Sequence, residues 1–190
     1  MLSVIISSSN GERALVATLS ALVGGAVSGL VREVMVTVGT SGDATAEVAD
    51  FAGCTVLAAE GPLGARLKTA AFAARSPWLM FLRAGTVLDP SWLDETAGFI
   101  READRAGDAD DAAVFRRSVS VQSAYPALRE GLGLIGFGLF GRVHPRQGLV
   151  IAARLYRELG GHRSDARDPE ADLIHRLGRR RIVMLRSGAR

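Results

Sequence analysis

The chain has 190 residues, 48% of them hydrophobic and 23% charged, which suits a single compact domain over residues 1–190 with one substantial core. The formal net charge of +3 is spread along the sequence, and its only dense run is Arg179, Arg180 and Arg181, so no nucleic-acid partner is expected. Nearly all the positive charge is arginine, whose planar fork suits bidentate contact with phosphate or carboxylate; a phosphorylated ligand fits this, and so does a solvated surface.

The single Cys54 lies in an apolar stretch, which excludes an internal disulfide and a zinc site of clustered cysteines and suits a reducing compartment. Residues 1–6 lack the basic start and the length of a signal peptide. The longest apolar stretch, residues 131–141, is about half of the ~18 residues needed to span a bilayer. The expectation is a cytoplasmic protein without a transmembrane segment.

Residues 2–6 form a β-branched run that ends in Ser7, Ser8, Ser9 and Asn10, followed by Leu15, Leu19, Leu22 and Ala26 at helical spacing. Ser9 and Glu12 have the spacing of a capping box, which predicts the helix start. A second unit repeats the plan: a strand at 33–38, a turn at 39–42 and a helix from about 44 to 51, ended by Gly53. A third strand is predicted at 55–58, then a loop at 61–64 feeding an alanine-rich helix up to Arg75.

The continuous apolar run 78–82 reads as a strand buried on both faces. After it, Asp89 as N-cap and Pro90 at the first helical position introduce a helix with Trp92, Leu93, Thr96, Phe99 and Ile100 on one face. Four strand-loop-helix units in a row imply a doubly wound α/β fold. Residues 104–111 read as an exposed loop, 114–121 as a half-buried alternating strand and 149–152 as a short strand. Asp168 and Pro169 repeat the cap-and-proline start for a helix carrying Leu173, Ile174 and Leu177, stopped by Gly178, and residues 181–185 form the last strand.

In an open parallel sheet, ligands bind beyond the carboxyl ends of the strands, so residues 7–10, 38–43, 61–66 and 83–86 are the informative ones. The segments LSVIISSSNGE, REVMVTVGTSGDAT, GPLGARLKTAAFAA, WLMFLRAGTVLDPSWL and RQGLVIAARLYRELGG resemble, in order and spacing, those of bacterial family 2 glycosyltransferases over nearly the whole chain. The resemblance implies a GT-A type α/β fold: a mostly parallel, doubly wound sheet in a three-layer α/β/α arrangement. It also implies a nucleotide-diphosphate sugar as donor, an acceptor the sequence does not name, and a divalent metal, Mg or Mn, that neutralises the leaving diphosphate.

At the positions that carry this chemistry the sequence departs from the family pattern. The family's base-reading aspartate falls on Val38, and the metal-binding Asp-x-Asp motif falls on Arg83, Ala84 and Gly85, so the ligand motif for metal is lost and no metal-ligating residue is assigned. Ser7, Ser8 and Ser9 stand where the family commonly has Pro, Thr and Tyr, while Asn10 remains; Asp43 remains too, as a shaper of its loop. Glu170 falls on the general-base position, with Asp168 beside it at the same helix start, where capping alone would also favour a carboxylate. Arg146 and Gln147 fall where the family often has Asp-Gln, which places Gln147 on the acceptor side together with His144, ahead of Pro145.

The candidate nucleotide-sugar-binding residues are therefore Ser8, Ser9, Asn10, Gly39, Arg66, Arg83 and Thr86, with Lys68 as further support for the phosphates. Arg83 can neutralise a diphosphate in the metal's place through its fork of donors, or be a loop residue free to vary. His144, His162 and His175 are too scattered for a metal triad. The glycine-rich apolar stretch 132–140 leaves several readings open: an acceptor groove, a buried connector, a membrane-surface contact or a homodimer contact.

Two readings follow, a metal-independent glycosyltransferase with Arg83 in the metal's place and Glu170 as base, or an inactive homologue acting as a binding or regulatory protein. They are separated by whether Arg83, Arg66, Ser8, Ser9 and Glu170 converge on one cleft. A nucleotidyltransferase or dinucleotide oxidoreductase is disfavoured, because no glycine-rich phosphate loop follows the first strand.

Overall fold

The computed structural model describes residues 1–8, 11–39, 43–58, 60–107, 109–117 and 147–190. Seven strands form one sheet: β1 Leu2–Ser8, β2 Val31–Val38, β3 Thr55–Ala58, β4 Trp78–Arg83, β5 Ala112–Arg117, β6 Leu149–Ala152 and β7 Ile182–Ala189. The helices are α1 Glu12–Val27, α2 Thr45–Phe51, α3 Leu63–Ala73, α4 Trp92–Ala106, α5 Ala153–Glu158 and α6 Pro169–Leu177. The sheet order is β3-β2-β1-β4-β6-β5-β7. β1, β2, β3 and β4 are mutually parallel where they pair, β6 runs antiparallel to both β4 and β5, and β7 is parallel to β5. The result is the expected mostly parallel three-layer α/β/α arrangement.

The core sits where sequence periodicity put it. All seven residues of β1 are buried, as are Trp78 to Leu82 of β4, so these central strands have helices over both faces. The register places Ser7 beside Arg83 and Ser8 beside Val38, which brings the polar carboxyl ends of β1 and β4 together at one edge of an otherwise apolar sheet. Cys54 is a buried core residue whose thiol is pushed up by burial.

Several local expectations change. α1 begins at Glu12 with Gly11 at its N-cap and no side-chain cap, so Glu12 opens the first turn and is not the third residue of a capping box; Ser9 lies outside the described residues. Gly11 instead donates its N–H to Thr45 Oγ1 at 3.3 Å. α4 begins at Trp92, two residues beyond the predicted proline start, because Asp89 is used elsewhere: its Oδ2 accepts the Gly188 N–H at 3.0 Å and its Oδ1 pairs with Arg190 at 3.2 Å.

The predicted loop at 104–111 is shortened because α4 runs on to Ala106, and Asp104 accepts a hydrogen bond from Trp78 Nε1 at 3.2 Å. β5 starts at Ala112 and is continuously buried over its first four residues instead of alternating, since it lies between β6 and β7. The last strand, β7, extends to Ala189. The short α5 carried no periodic signal long enough to be read. The stretch 132–140 and residues 118–121 lie outside the described residues. Among the described residues, no helix is long and apolar enough to cross a membrane.

Candidate active site

The carboxyl ends of β1 and β4, the start of α1 and the first turn of α3 enclose a cavity of about 480 Å³ lined by Ser7, Ser8, Leu63, Arg66, Arg83 and Thr86, with Gly85 and Arg190 at its border. Each side chain is delivered by a local rule. Ser7 and Ser8 are the last residues of β1, Arg83 is the last of β4, and Arg66 lies one turn into α3, whose start is set by Pro62.

Arg66 is the most unusual of them. Its Nε and Nη1 are buried and without a hydrogen-bond partner among the described residues, and so is the hydroxyl of Ser8. The guanidinium lies against Gly39, where an added Cβ would come within 2.8 Å of Arg66 Nη1. Buried donors without partners are costly, and three of them on Arg66 and Ser8 give this cavity unused capacity for hydrogen-bond acceptors.

Arg83 reaches from the same cavity to α6. Its Nε donates to Glu170 Oε2, its Nη2 forms an ion pair with the same oxygen, and Nη2 lies 3.6 Å from Asp168 Oδ1. Glu170 is 6% exposed. Burial pushes its carboxyl above the ordinary range, while the hydrogen bond and charge of Arg83 pull the other way. Asp168 does what its position predicts, accepting the Ala171 N–H at 3.1 Å as the N-cap of α6, with Pro169 following.

Of the sequence-derived candidates, Ser8, Arg66, Arg83 and Thr86 line one cavity, and Glu170 and Asp168 meet it through Arg83. Gly39 contributes by admitting Arg66. Ser9, Asn10 and His144 lie outside the described residues. Gln147 is buried and donates to the Phe115 carbonyl at 3.0 Å, which ties the residue before β6 to β5. Lys68 departs from expectation: it lies over the Phe72 ring at 5.9 Å and lines a separate cleft of about 660 Å³ with Thr69, His162 and Arg163, because a step of two residues along α3 puts it on a different face from Arg66. Arg190, which also lines the cavity, was not legible from the sequence, since its backbone pairing with Val87, just past β7, brings it there.

The residues do not fit a divalent cation. The described side chains that line the cavity offer guanidinium and hydroxyl groups and no Asp or Glu, and the two nearby carboxylate side chains already face Arg83. Gly85, two residues beyond Arg83, has φ 96°, which an L side chain rarely adopts, and its N–H is tied to Thr18 Oγ1 at 2.9 Å. Among the described residues no three His, Cys, Asp or Glu side chains gather as a metal site.

No protein-family model matches the chain, and no curated protein matches it in sequence. Solved structures do. TarS from S. aureus (residues 1–349) superposes with a TM-score of 0.71 at 16% identity over 97% of this chain and 57% of its own. The mannosyltransferase PcManGT from Pyrobaculum calidifontis, in complex with GDP-Man and Mn2+, gives 0.70 at 14% identity over 97% and 54%. Glucosyl-3-phosphoglycerate synthase from Mycobacterium tuberculosis, in complex with UDP, gives 0.67 at 18% over 98% and 69%. The fold is that of the GT-A glycosyltransferases. The chain spans 57% of the TarS fragment and 54% of the mannosyltransferase.

Proposed function

We propose that the chain binds a nucleotide-diphosphate sugar and transfers its sugar to an acceptor hydroxyl without a divalent metal. The observation that carries this reading is the convergence of Ser8, Arg66, Arg83 and Thr86 on one cavity at the carboxyl ends of β1 and β4, with Glu170 held at its edge. Solved proteins of the same fold supply the ligand class: TarS has been solved with UDP-GlcNAc and the mannosyltransferase with GDP-Man.

In this reading the acceptor oxygen attacks the anomeric carbon, the bond from that carbon to the diphosphate oxygen breaks, and the hydroxyl proton passes to a carboxylate oxygen of Glu170. The guanidinium groups of Arg66 and Arg83 meet the charge that develops on the leaving diphosphate, the task a metal performs elsewhere. Asp168 holds the start of α6 and so the position of Glu170. Burial raises the pKa of the Glu170 carboxylate and so makes it a stronger base than an exposed one.

One observation favours the second reading, an inactive homologue that binds or regulates: Arg83 already engages the carboxylate assigned as base. Release of free sugar or of nucleoside diphosphate from a panel of UDP and GDP sugars, assayed in EDTA with crude acceptor extracts, separates the two. Turnover that Glu170→Gln abolishes supports the transferase; binding without turnover under every acceptor condition supports the regulatory protein.

A further inference from the structure

Arg83 faces two anionic destinations. Toward α6 its Nε donates to Glu170 Oε2 and its Nη2 pairs with the same oxygen, and toward the cavity it stands with Thr86 and with Arg66 and Ser8, whose buried donors lack partners among the described residues. A guanidinium has a fixed planar fork, so the donors Nε and Nη2 cannot serve Glu170 and a diphosphate equally well at once. Arg83 is 29% exposed in its side chain and Glu170 7%, so the cation is the partner with room to move and the carboxylate is the one held in place.

Resting on the transferase reading above, we propose that Arg83 is an exchangeable latch: Glu170 holds it in the empty site, and the donor's diphosphate draws it away, which frees Glu170 to act as base only when a donor is seated. The geometry also makes Glu170 an internal competitor of the diphosphate. Neutralising it should therefore strengthen donor binding while removing the base, a combination that a merely structural ion pair does not produce.

The exchange has a proton signature. The charged groups that act on Glu170 are Arg83 from β4 and Asp168 from the turn before α6, while α3, also packed there, presents Gly64 to Pro169 and no charge at that contact. Burial and Asp168 raise the Glu170 pKa and Arg83 lowers it, so removing Arg83 to a phosphate raises it further, and the carboxylate takes up proton from solvent over the pH range in which it titrates.

The test is calorimetric titration of UDP-GlcNAc, GDP-mannose and inorganic pyrophosphate into the protein, in EDTA, in two buffers of different ionisation enthalpy at each of several pH values from weakly acid to neutral. The two sugar nucleotides carry a diphosphate diester with no titrating group near neutrality, so any proton exchanged with them belongs to the protein; Glu170→Gln gives the baseline for pyrophosphate. The latch predicts uptake of a fraction of a proton that vanishes in Glu170→Gln, and tighter donor binding by that variant, by about threefold or more, since a competing charge has been removed.

Sugar-nucleotide binding with the same proton balance in wild type and Glu170→Gln overturns the latch and leaves the transferase reading standing. Binding of pyrophosphate alone, with Glu170-dependent uptake, upholds the exchange of Arg83 between Glu170 and a diphosphate but overturns the transferase and with it the role of Glu170 as base. If no probe binds at millimolar concentration, both fall. Should Glu170→Gln fail to fold, absence of proton uptake with the sugar nucleotides in the wild type at every pH of the series is sufficient to overturn the latch.

Discussion

Gly64 in the first turn of α3 is pressed against the backbone of Arg163: a Cβ added there would come within 2.0 Å of the Arg163 carbonyl oxygen and 3.1 Å of the Pro169 Cβ. The contact sets how closely α3, which carries Arg66, approaches the start of α6, which carries Glu170. Because the obstacle is backbone, Gly64→Ala must shift one element. We expect a loss of about 1–3 kcal/mol in urea denaturation, the ordinary cost of overpacking. Donor binding should fall as well, since the two halves of the site move apart.

Gly39 gives the opposite balance. Its added Cβ would meet the Nη1 end of Arg66 at 2.8 Å, a flexible tip that can swing away. Gly39→Ala is therefore expected to change stability by less than about 1 kcal/mol while weakening pyrophosphate binding by roughly tenfold, the value of one charge-assisted hydrogen bond. Equal losses in both measurements would contradict the assignment of Arg66 to the ligand.

The fold was legible because its signals are local and redundant. The apolar runs at β1 and β4, the Asp168 and Pro169 helix start and the short β3 all form where the pattern put them. What sequence could not supply was competition between roles. Asp89 and Pro90 have the look of a helix start, yet Asp89 is drawn to the Gly188 N–H and Arg190, 99 and 101 residues away. In the site, Arg83 and Glu170 were each identified from their places in a family pattern, but their direct pairing across 87 residues is a product of packing that no spacing encodes. Lys68 failed for a related reason: two residues along a helix separate faces, and only the packed α3 shows which face meets the cavity.

His162 makes the acid limb of stability testable. It is 1% exposed and packed edge-on to Phe81, its Nδ1 lies 2.9 Å from the Tyr156 hydroxyl, and burial, aided by the Arg176 charge, pushes its pKa down to about 3. Between about 3 and the ordinary 6.5 the unfolded chain binds the proton and the folded one does not. Its contribution is thus complete above 6.5 and is lost as pH falls toward 3. A His162→Phe variant should show a shallower decline in thermal midpoint from pH 6.5 to 4.5 than the wild type; an unchanged slope would contradict a neutral buried imidazole.

Arg83→Met leaves Glu170 buried beside Asp168 with no cation to oppose them. We expect a loss of about 2 kcal/mol at pH 7, below the full cost of breaking a buried pair because Arg83 is partly exposed. The sign with pH is fixed by the raised Glu170 pKa: the folded state then binds more protons than the unfolded one, so stability is greatest below 4.5 and declines as pH rises through the folded value. The deficit of Arg83→Met relative to wild type should therefore shrink on going from pH 7 to pH 5 in urea denaturation, and a deficit that grows would exclude an uncompensated carboxylate.

The central claim is that arginine, and not metal, receives the diphosphate. The most direct measurement is the affinity for UDP-GlcNAc of wild type and Arg66→Gln, in EDTA and in manganese. The account predicts equal wild-type binding in both conditions and a loss of roughly tenfold or more in Arg66→Gln, whose buried donors have no other partner among the described residues. Binding that requires manganese, or that survives Arg66→Gln unchanged, would contradict it.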